Sequence, residues 1–245
     1  MELIVVDDYE SLSLEATRSL ARTVLAKASP VLALPTGDTP KGLYRILARW
    51  GREGILDLSR TIIFSLDEYL GIPRDHPGSF RTYMREHLLE HVRVGAHYIP
   101  EPMPDDPDEE CRRYEDVIRD HGGLDLAVLG LGPNGHIAFN EPGTPFGSAT
   151  HVAALSRETR VREADLFGGP EAVPERAITM GIRTIMNARK IMLLAAGREK
   201  ADAVRKALRG PVTPEVPASV LQLHPRLTVI LDREAAAGLP AQEGR

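Results

Sequence analysis

Short runs of consecutive apolar residues alternate along this chain with longer stretches in which apolar positions recur every three or four residues. The short runs are "LIVV" (3–6), "VLAL" (31–34), "TIIFSL" (61–66), "LDLAVLGLG" (124–132), "KIMLLAAG" (190–197) and "LTVILD" (227–232). They lack the in–out alternation of a half-exposed strand, so they predict strands buried on both faces. The periodic stretches predict helices: "YESLSLEATRSLARTVLAKA" (9–28), "KGLYRILARWGREG" (41–54), "SFRTYMREHLLEHV" (79–92), "CRRYEDVIRDHGG" (111–123), "AITMGIRTIMNA" (177–188) and "REKADAVRKALRG" (198–210). Strand–helix alternation of this kind predicts an α/β fold, a mostly parallel Rossmann-like sheet flanked by helices on both faces. No repeat or long linker divides the chain, so residues 1–245 are expected to form a single domain. "IPEPMPDDPDEE" (99–110) reads as a surface connection and "REAAAGLPAQEGR" (233–245) as a frayed tail.

Ligands of open parallel sheets sit beyond the carboxyl ends of the strands. That rule singles out four segments: "PTGDTP" after the second strand, "DEYLG" after the third, "PNGHIAFNEPG" after the fourth and "REK" after the fifth. In the first, Thr36, Gly37, Asp38 and Thr39 offer backbone N–H groups and two hydroxyls at a helix start, which suits an anion. A plain helix cap with Pro40 at the first helical position uses the same residues. The run lacks the spacing and terminal Lys-Ser/Thr of a nucleotide-binding P-loop. In the second segment, Asp67 and Glu68 stand at a strand end, as a desolvated general base would, or as a turn cap would. In the fourth, Lys200 occupies the first turn of a helix, where the dipole disfavours a cation unless an anion is bound nearby; a solvated lysine is the plainer alternative.

The third segment contains a literal G-x-G-x-x-G at Gly130, Gly132 and Gly135. A dinucleotide site asks for an acidic residue about 20 positions on at the end of a second strand. Glu158 has nearly that separation but lies in "LSRETRVRE", which is not an apolar strand. Instead His136 follows the last glycine at once and Glu141 lies five residues further, close enough for a histidine–carboxylate pair.

Composition narrows the classes. Hydrophobic content of 42% and charged content of 27% are those of an ordinary soluble protein. A net charge of −5 offers no basic face for nucleic acid. The lone Cys111 excludes an internal disulfide or a cysteine metal cage. "MELIVVDDYESL" has no signal-peptide pattern, and runs such as "IMLLAA" are too short to cross a bilayer, so no membrane partner and a cytoplasmic location are expected.

Taken together, the segments "LPTGDTPKGLY", "FSLDEYLGI", "HPGSFRTYM", "LAVLGLGPNGHIAFNEPG", "AITMGIRTIM", "GREKADAVRKAL" and "ASVLQLHP" resemble the glucosamine-6-phosphate deaminase (isomerase) family over nearly the whole chain. The resemblance implies conversion of glucosamine 6-phosphate and water into fructose 6-phosphate and ammonia, with no metal or redox cofactor. It gives Asp67 the role of base between C2 and C1. His136, oriented by Glu141 with Asn134 beside it, would assist ring opening. Thr36, Gly37, Asp38, Thr39 and Lys200 would hold the phosphate, with Glu68 also at the substrate.

Several positions depart from the family pattern. Asn134 stands where many members have aspartate, Asp165 where an arginine grips the phosphate, and Asp38 where glycine or serine is usual. Arg160, Arg162 or Arg183 is the candidate replacement for the missing arginine. His151 and Ala153 stand where allosterically activated members carry a basic pair, so an unregulated monomer or small homo-oligomer is expected. A lid within 140–175 is a further expectation. The rivals are a 6-phosphogluconolactonase-like hydrolase, which resembles "DER" rather than "DEY" and lacks "AFNEP", and a non-catalytic sugar-phosphate-binding module. The module normally follows a helix-turn-helix segment, for which a first strand at Leu3 leaves no room.

Overall fold

The computed structural model describes residues 1–240 of the chain. Its strands are β1 (Glu2–Val6), β2 (Val31–Leu34), β3 (Ile62–Ser65), β4 (Asp67–Tyr69), β5 (Ala96–Tyr98), β6 (Leu126–Leu129), β7 (His151–Ala154), β8 (Arg176–Thr179), β9 (Ile191–Ala195) and β10 (Leu227–Asp232). Its α-helices are α1 (Tyr9–Leu25), α2 (Lys41–Arg52), α3 (Phe80–Met84), α4 (Pro107–Asp120), α5 (Arg157–Arg162), α6 (Ile182–Met186) and α7 (Ala201–Arg209). Seven strands form one sheet in the order β1-β10-β9-β6-β2-β3-β5, and every pairing in it is parallel. The Rossmann-like α/β architecture expected from the apolar runs is therefore present.

Continuous apolar runs occur because both faces of the sheet are covered. In β2, Val31 and Ala33 enter one buried cluster with Tyr114 and Ile118 of α4 and Val204 of α7. Leu32 and Leu34 enter the opposite cluster, with Leu12 and Leu20 of α1 and Leu43 of α2. The two-residue period of a strand divides the side chains between two layers, and each layer demands an apolar residue.

A second, three-stranded sheet was not anticipated. It is antiparallel, in the order β4-β8-β7. Residues 177–188 were expected to be one helix, because Ile178, Ile182 and Ile185 imitate helical spacing. The first part is instead the strand β8, and only Ile182–Met186 is helical. Gly181 marks the break: a Cβ there would lie 1.9 Å from the Ala149 carbonyl oxygen. "DEY" is likewise a strand rather than a turn, with Asp67 opposite Thr179. Within 140–175, where a lid was expected, His151–Ala154 is the strand β7 of this sheet.

Three boundaries also move. The helix expected from Cys111 begins at Pro107, because the Asp106 carboxylate accepts the N–H groups of Asp108 and Glu109 at 2.8 and 3.2 Å. The helix over 79–92 passes from α3 into a π-helical turn, Arg85–Leu89. The supposed tail packs at its start: Ala235–Gly238 is a 3-10 turn with Ala235 fully buried. The rest of that tail, 241–245, lies outside the described residues. No helix among the described residues is long and apolar enough to cross a membrane.

Candidate active site

The four segments picked out above follow β2, β3, β6 and β9, which are adjacent in the large sheet in the order β9-β6-β2-β3. Sequence order reverses at β6, whose neighbours are the later β9 and the earlier β2. Such a switch point opens a crevice at the strand ends.

After β3 the chain continues directly into β4. Alternation there sends Asp67 and Tyr69 to one face and Glu68 to the other. Glu68 is fully buried, and its carboxylate accepts three backbone N–H groups: Tyr69 at 2.9 Å, Phe80 at 3.0 Å and Arg81 at 3.0 Å. It caps the start of α3, a use of the carboxylate that the expected substrate-binding role did not include. Asp67 is 5% exposed. Burial, with Glu68 and Glu163 nearby, raises its carboxyl well above the usual range. That is the condition of a base able to exchange a proton with carbon.

The glycine turn serves His136. Gly132 lies against the imidazole so closely that a Cβ on it would stand 2.4 Å from Nε2 and Cδ2. Gly135 has φ +89°, which admits the tight turn. Gly130 has open space around it and is not in the left-handed region. Gly132 and Gly135 thus shape the turn around the histidine, and Gly130 takes no part in it.

The Asn134 side-chain oxygen accepts the His136 N–H at 3.1 Å, while its amide donates to Glu141 Oε2 at 2.8 Å. The same Oε2 is 3.7 Å from His136 Nδ1. Glu141 Oε1 accepts the Thr159 hydroxyl at 2.5 Å and the Ser156 N–H at 3.4 Å, which ties the turn to the start of α5. Burial raises the Glu141 carboxyl, but the nearby His136 and the hydrogen bonds from Thr159 and Asn134 prevail and bring it down to about 2. Ala138, within the turn, has φ +50°, a left-handed conformation that is strained for alanine.

The loop 36–39 is held from outside by tyrosines. The hydroxyls of Tyr44, Tyr83 and Tyr9 donate to the carbonyls of Pro35, Gly37 and Asp38 at 2.5, 2.6 and 3.0 Å. Planar trans peptides then aim the N–H groups of Thr36, Asp38 and Thr39 the opposite way, as an anion cradle requires. The simple cap is not formed: Pro40 occupies the cap position of α2 without a side-chain bond. Asp38 is 96% exposed and pairs with Lys41 at 2.7 Å. Lys200 donates to the Leu131 carbonyl at 2.9 Å, beside the histidine turn. Burial, then Arg162, lowers its pKa.

Asp67, Asn134, His136, Glu141 and Lys200 are therefore gathered around the strand ends, and Glu68 is withdrawn. Of the three replacement arginines, Arg160 is committed to the Pro170 carbonyl, at 3.1 Å, and to Glu171 and Glu175. Arg162 is the one whose charge reaches Lys200 and Glu163. Asp165 is exposed on a 3-10 turn, Ala164–Leu166. Thr159, Tyr69 and Glu163 escaped the sequence reading. Tyr69 was discoverable had "DEY" been read as a strand, since it shares a face with Asp67. Nothing in "TRVREADLF" marks Glu163 as inward-facing. Among the described residues no group of three or more His, Cys, Asp or Glu side chains is placed to hold a metal ion.

A buried strand-end carboxylate, a histidine–carboxylate pair and a lysine beside the histidine turn are groups suited to acid–base chemistry, the class of protein to which this site points. Comparison with known proteins specifies it. The family of glucosamine-6-phosphate isomerases/6-phosphogluconolactonase is matched over residues 8–230, and the chain belongs to that family. It is 44% identical to a glucosamine-6-phosphate deaminase of Clostridium botulinum, covering 98% of this chain and 99% of the relative. It is 41% identical to that of Thermoanaerobacter pseudethanolicus, covering 99% and 97%. A solved structure described as a monomeric glucosamine-6-phosphate deaminase superposes with TM-score 0.93 at 43% identity, covering 97% of this chain and all of that one. The 6-phosphogluconolactonase of Trypanosoma brucei shares the fold, with TM-score 0.80 at 22% identity, covering 98% of each chain.

Proposed function

We propose that this chain is a glucosamine-6-phosphate deaminase in which Asp67 is the base, His136 with Glu141 opens the ring, and the 36–39 loop with Lys200 binds the phosphate. The carrying observation is that these groups converge at four adjacent strand ends in a chain 41–44% identical to deaminases over nearly its full length.

The chemistry balances with these groups. His136 protonates the ring oxygen as the C1 hydroxyl loses its proton, giving the open aldehyde. Asp67 removes the C2 proton and returns it to C1 while one proton passes from the 2-ammonium group to the C1 oxygen, so the C1 carbonyl becomes a hydroxymethyl group and C2 carries an iminium. Water adds to C2, ammonia leaves, and the C2 ketone of fructose 6-phosphate remains. The phosphate anchor contributes binding energy remote from these bonds and positions C1 and C2 at the base.

The test is ammonia release from glucosamine 6-phosphate, beside unphosphorylated glucosamine, for the wild type and Asp67→Asn. Turnover of the ester, lost by about a thousandfold or more in the variant, supports the reaction and the base. Preference for glucosamine would mean that Asp38 and Asp165 have remodelled the anchor. Faster hydrolysis of 6-phosphogluconolactone than of the amino sugar would favour the hydrolase. Binding without turnover would favour the sugar-phosphate-binding module. The monomeric relative supports a monomer, and the absence of a basic pair at His151 and Ala153 supports hyperbolic kinetics.

A further inference from the structure

The base and the ring-opening histidine reach the crevice on separate segments, β4 and the turn after β6, and the end of β8 connects them. Asp67 stands opposite Thr179 in the small sheet. The neighbouring ladder bonds run from the Met180 N–H to the Leu66 carbonyl at 2.7 Å and from the Leu70 N–H to the Arg176 carbonyl at 2.9 Å. Asp67 and Thr179 are therefore a non-hydrogen-bonded pair, the kind in which facing side chains approach most closely. The Thr179 hydroxyl oxygen in turn accepts the N–H of Phe139 at 3.0 Å. Next to it, the Asn140 side-chain amide donates to the Ile137 and Met180 carbonyls, both at 2.9 Å. Thr179 and Met180, both fully buried, thereby join the base's strand to residues 137–140, which follow His136 directly.

These bonds straddle Ala138, whose φ of +50° persists only where its neighbours hold it. Ile137 and Phe139, on either side of it, are the residues so held. Of the residues involved, Thr179 is the one that both faces the base and bonds to the turn through its side chain. Resting on the deaminase reading above, we propose that Thr179 is a positioning residue that fixes the spacing of Asp67 and His136 by holding the histidine turn to the strand paired with the base. Proton transfer at C2 and protonation of the ring oxygen act on one bound sugar, so the two groups must keep a fixed separation. A displacement of about 1 Å costs on the order of 100-fold in rate. The 36–39 loop and Lys200 take part in none of these bonds, so substrate affinity does not depend on them.

Steady-state ammonia release from glucosamine 6-phosphate and thermal unfolding are measured for the wild type, Thr179→Val, Thr179→Ala and Thr179→Ser. The first two variants lack the acceptor and differ in bulk, so a packing failure in one leaves the other. Thr179→Ser keeps the hydroxyl. The expected result is a kcat about 10- to 100-fold lower for Thr179→Val and Thr179→Ala, with KM within about twofold of wild type. Thr179→Ser should restore kcat to within about threefold. A wild-type kcat in a variant without the hydroxyl overturns the proposal. So does an equal loss in Thr179→Ser, a KM that rises in step with the fall in kcat, or failure of both hydroxyl-free variants to fold, each of which makes Thr179 a structural support. Wild-type protein that releases no ammonia from glucosamine 6-phosphate removes the deaminase reading itself, a failure distinct from that of Thr179.

Discussion

Replacing Gly132 with alanine tests whether the glycine turn exists to seat His136. The added Cβ would stand 2.4 Å from Nε2 and Cδ2 and 2.6 Å from Cε1, where ordinary contact begins at 3.4 Å. The backbone at Gly132 is not left-handed, so alanine brings steric pressure without conformational strain. The imidazole must retreat by about 1 Å, and a displacement of that size costs on the order of 100-fold in turnover. Overpacking adds about 1–3 kcal/mol of destabilisation. Gly130→Ala is the matched control, since nothing lies within 4 Å of its would-be Cβ and its φ is ordinary. Steady-state ammonia release and thermal unfolding are measured for both variants. The expectation is a kcat about 100-fold lower for Gly132→Ala and within about twofold of wild type for Gly130→Ala. A Gly132→Ala enzyme with wild-type kcat, or equal losses in both variants, would refute the argument that the turn is shaped around the histidine.

Glu68→Gln should lose about 1–3 kcal/mol of stability, because an amide cannot accept all three N–H groups, while KM stays unchanged. A raised KM with an unchanged melting temperature would return Glu68 to the substrate. Glu141, held at about 2 against an ordinary 4.5, contributes stability that is fully present above pH 4.5 and lost as pH falls through about 2. The span corresponds to about 3 kcal/mol. Glu141→Gln should flatten that part of the stability profile, and denaturant titrations at pH 5 and pH 2.5 that show the same loss as wild type would count against the assignment.

Six of the seven strands of the large sheet were legible as unbroken apolar runs such as "VLAL" or "IMLLA", because covered faces demand them, whereas the edge strand β5 is the half-buried three-residue "AHY" and was not anticipated. Once the strands were placed, their carboxyl ends located Asp67, His136, Glu141 and Lys200 without any contact information. The small sheet was not legible. β4 is three residues long, and β8 carries isoleucines at helical spacing, so local pattern favoured turn and helix over strands that only each other's edges stabilise.

What a side chain at a strand end touches was decided by tertiary structure alone. Asp67 and Glu68 are adjacent acids in the sequence, and pleating separates them: one faces the crevice, and the other is consumed by the amides of α3. G-x-G-x-x-G is written identically for a cofactor loop and for a histidine platform, and the 2.4 Å approach of the imidazole to Gly132 distinguishes them. Ala164 and Phe167, from the turn after α5, pack against Tyr69 of β4 from a distant part of the chain. Periodicity records whether a residue faces water or core, so the sequence determined the layers and the rim. Convergence of charges from distant segments depends on how those layers pack, and no local pattern encodes it.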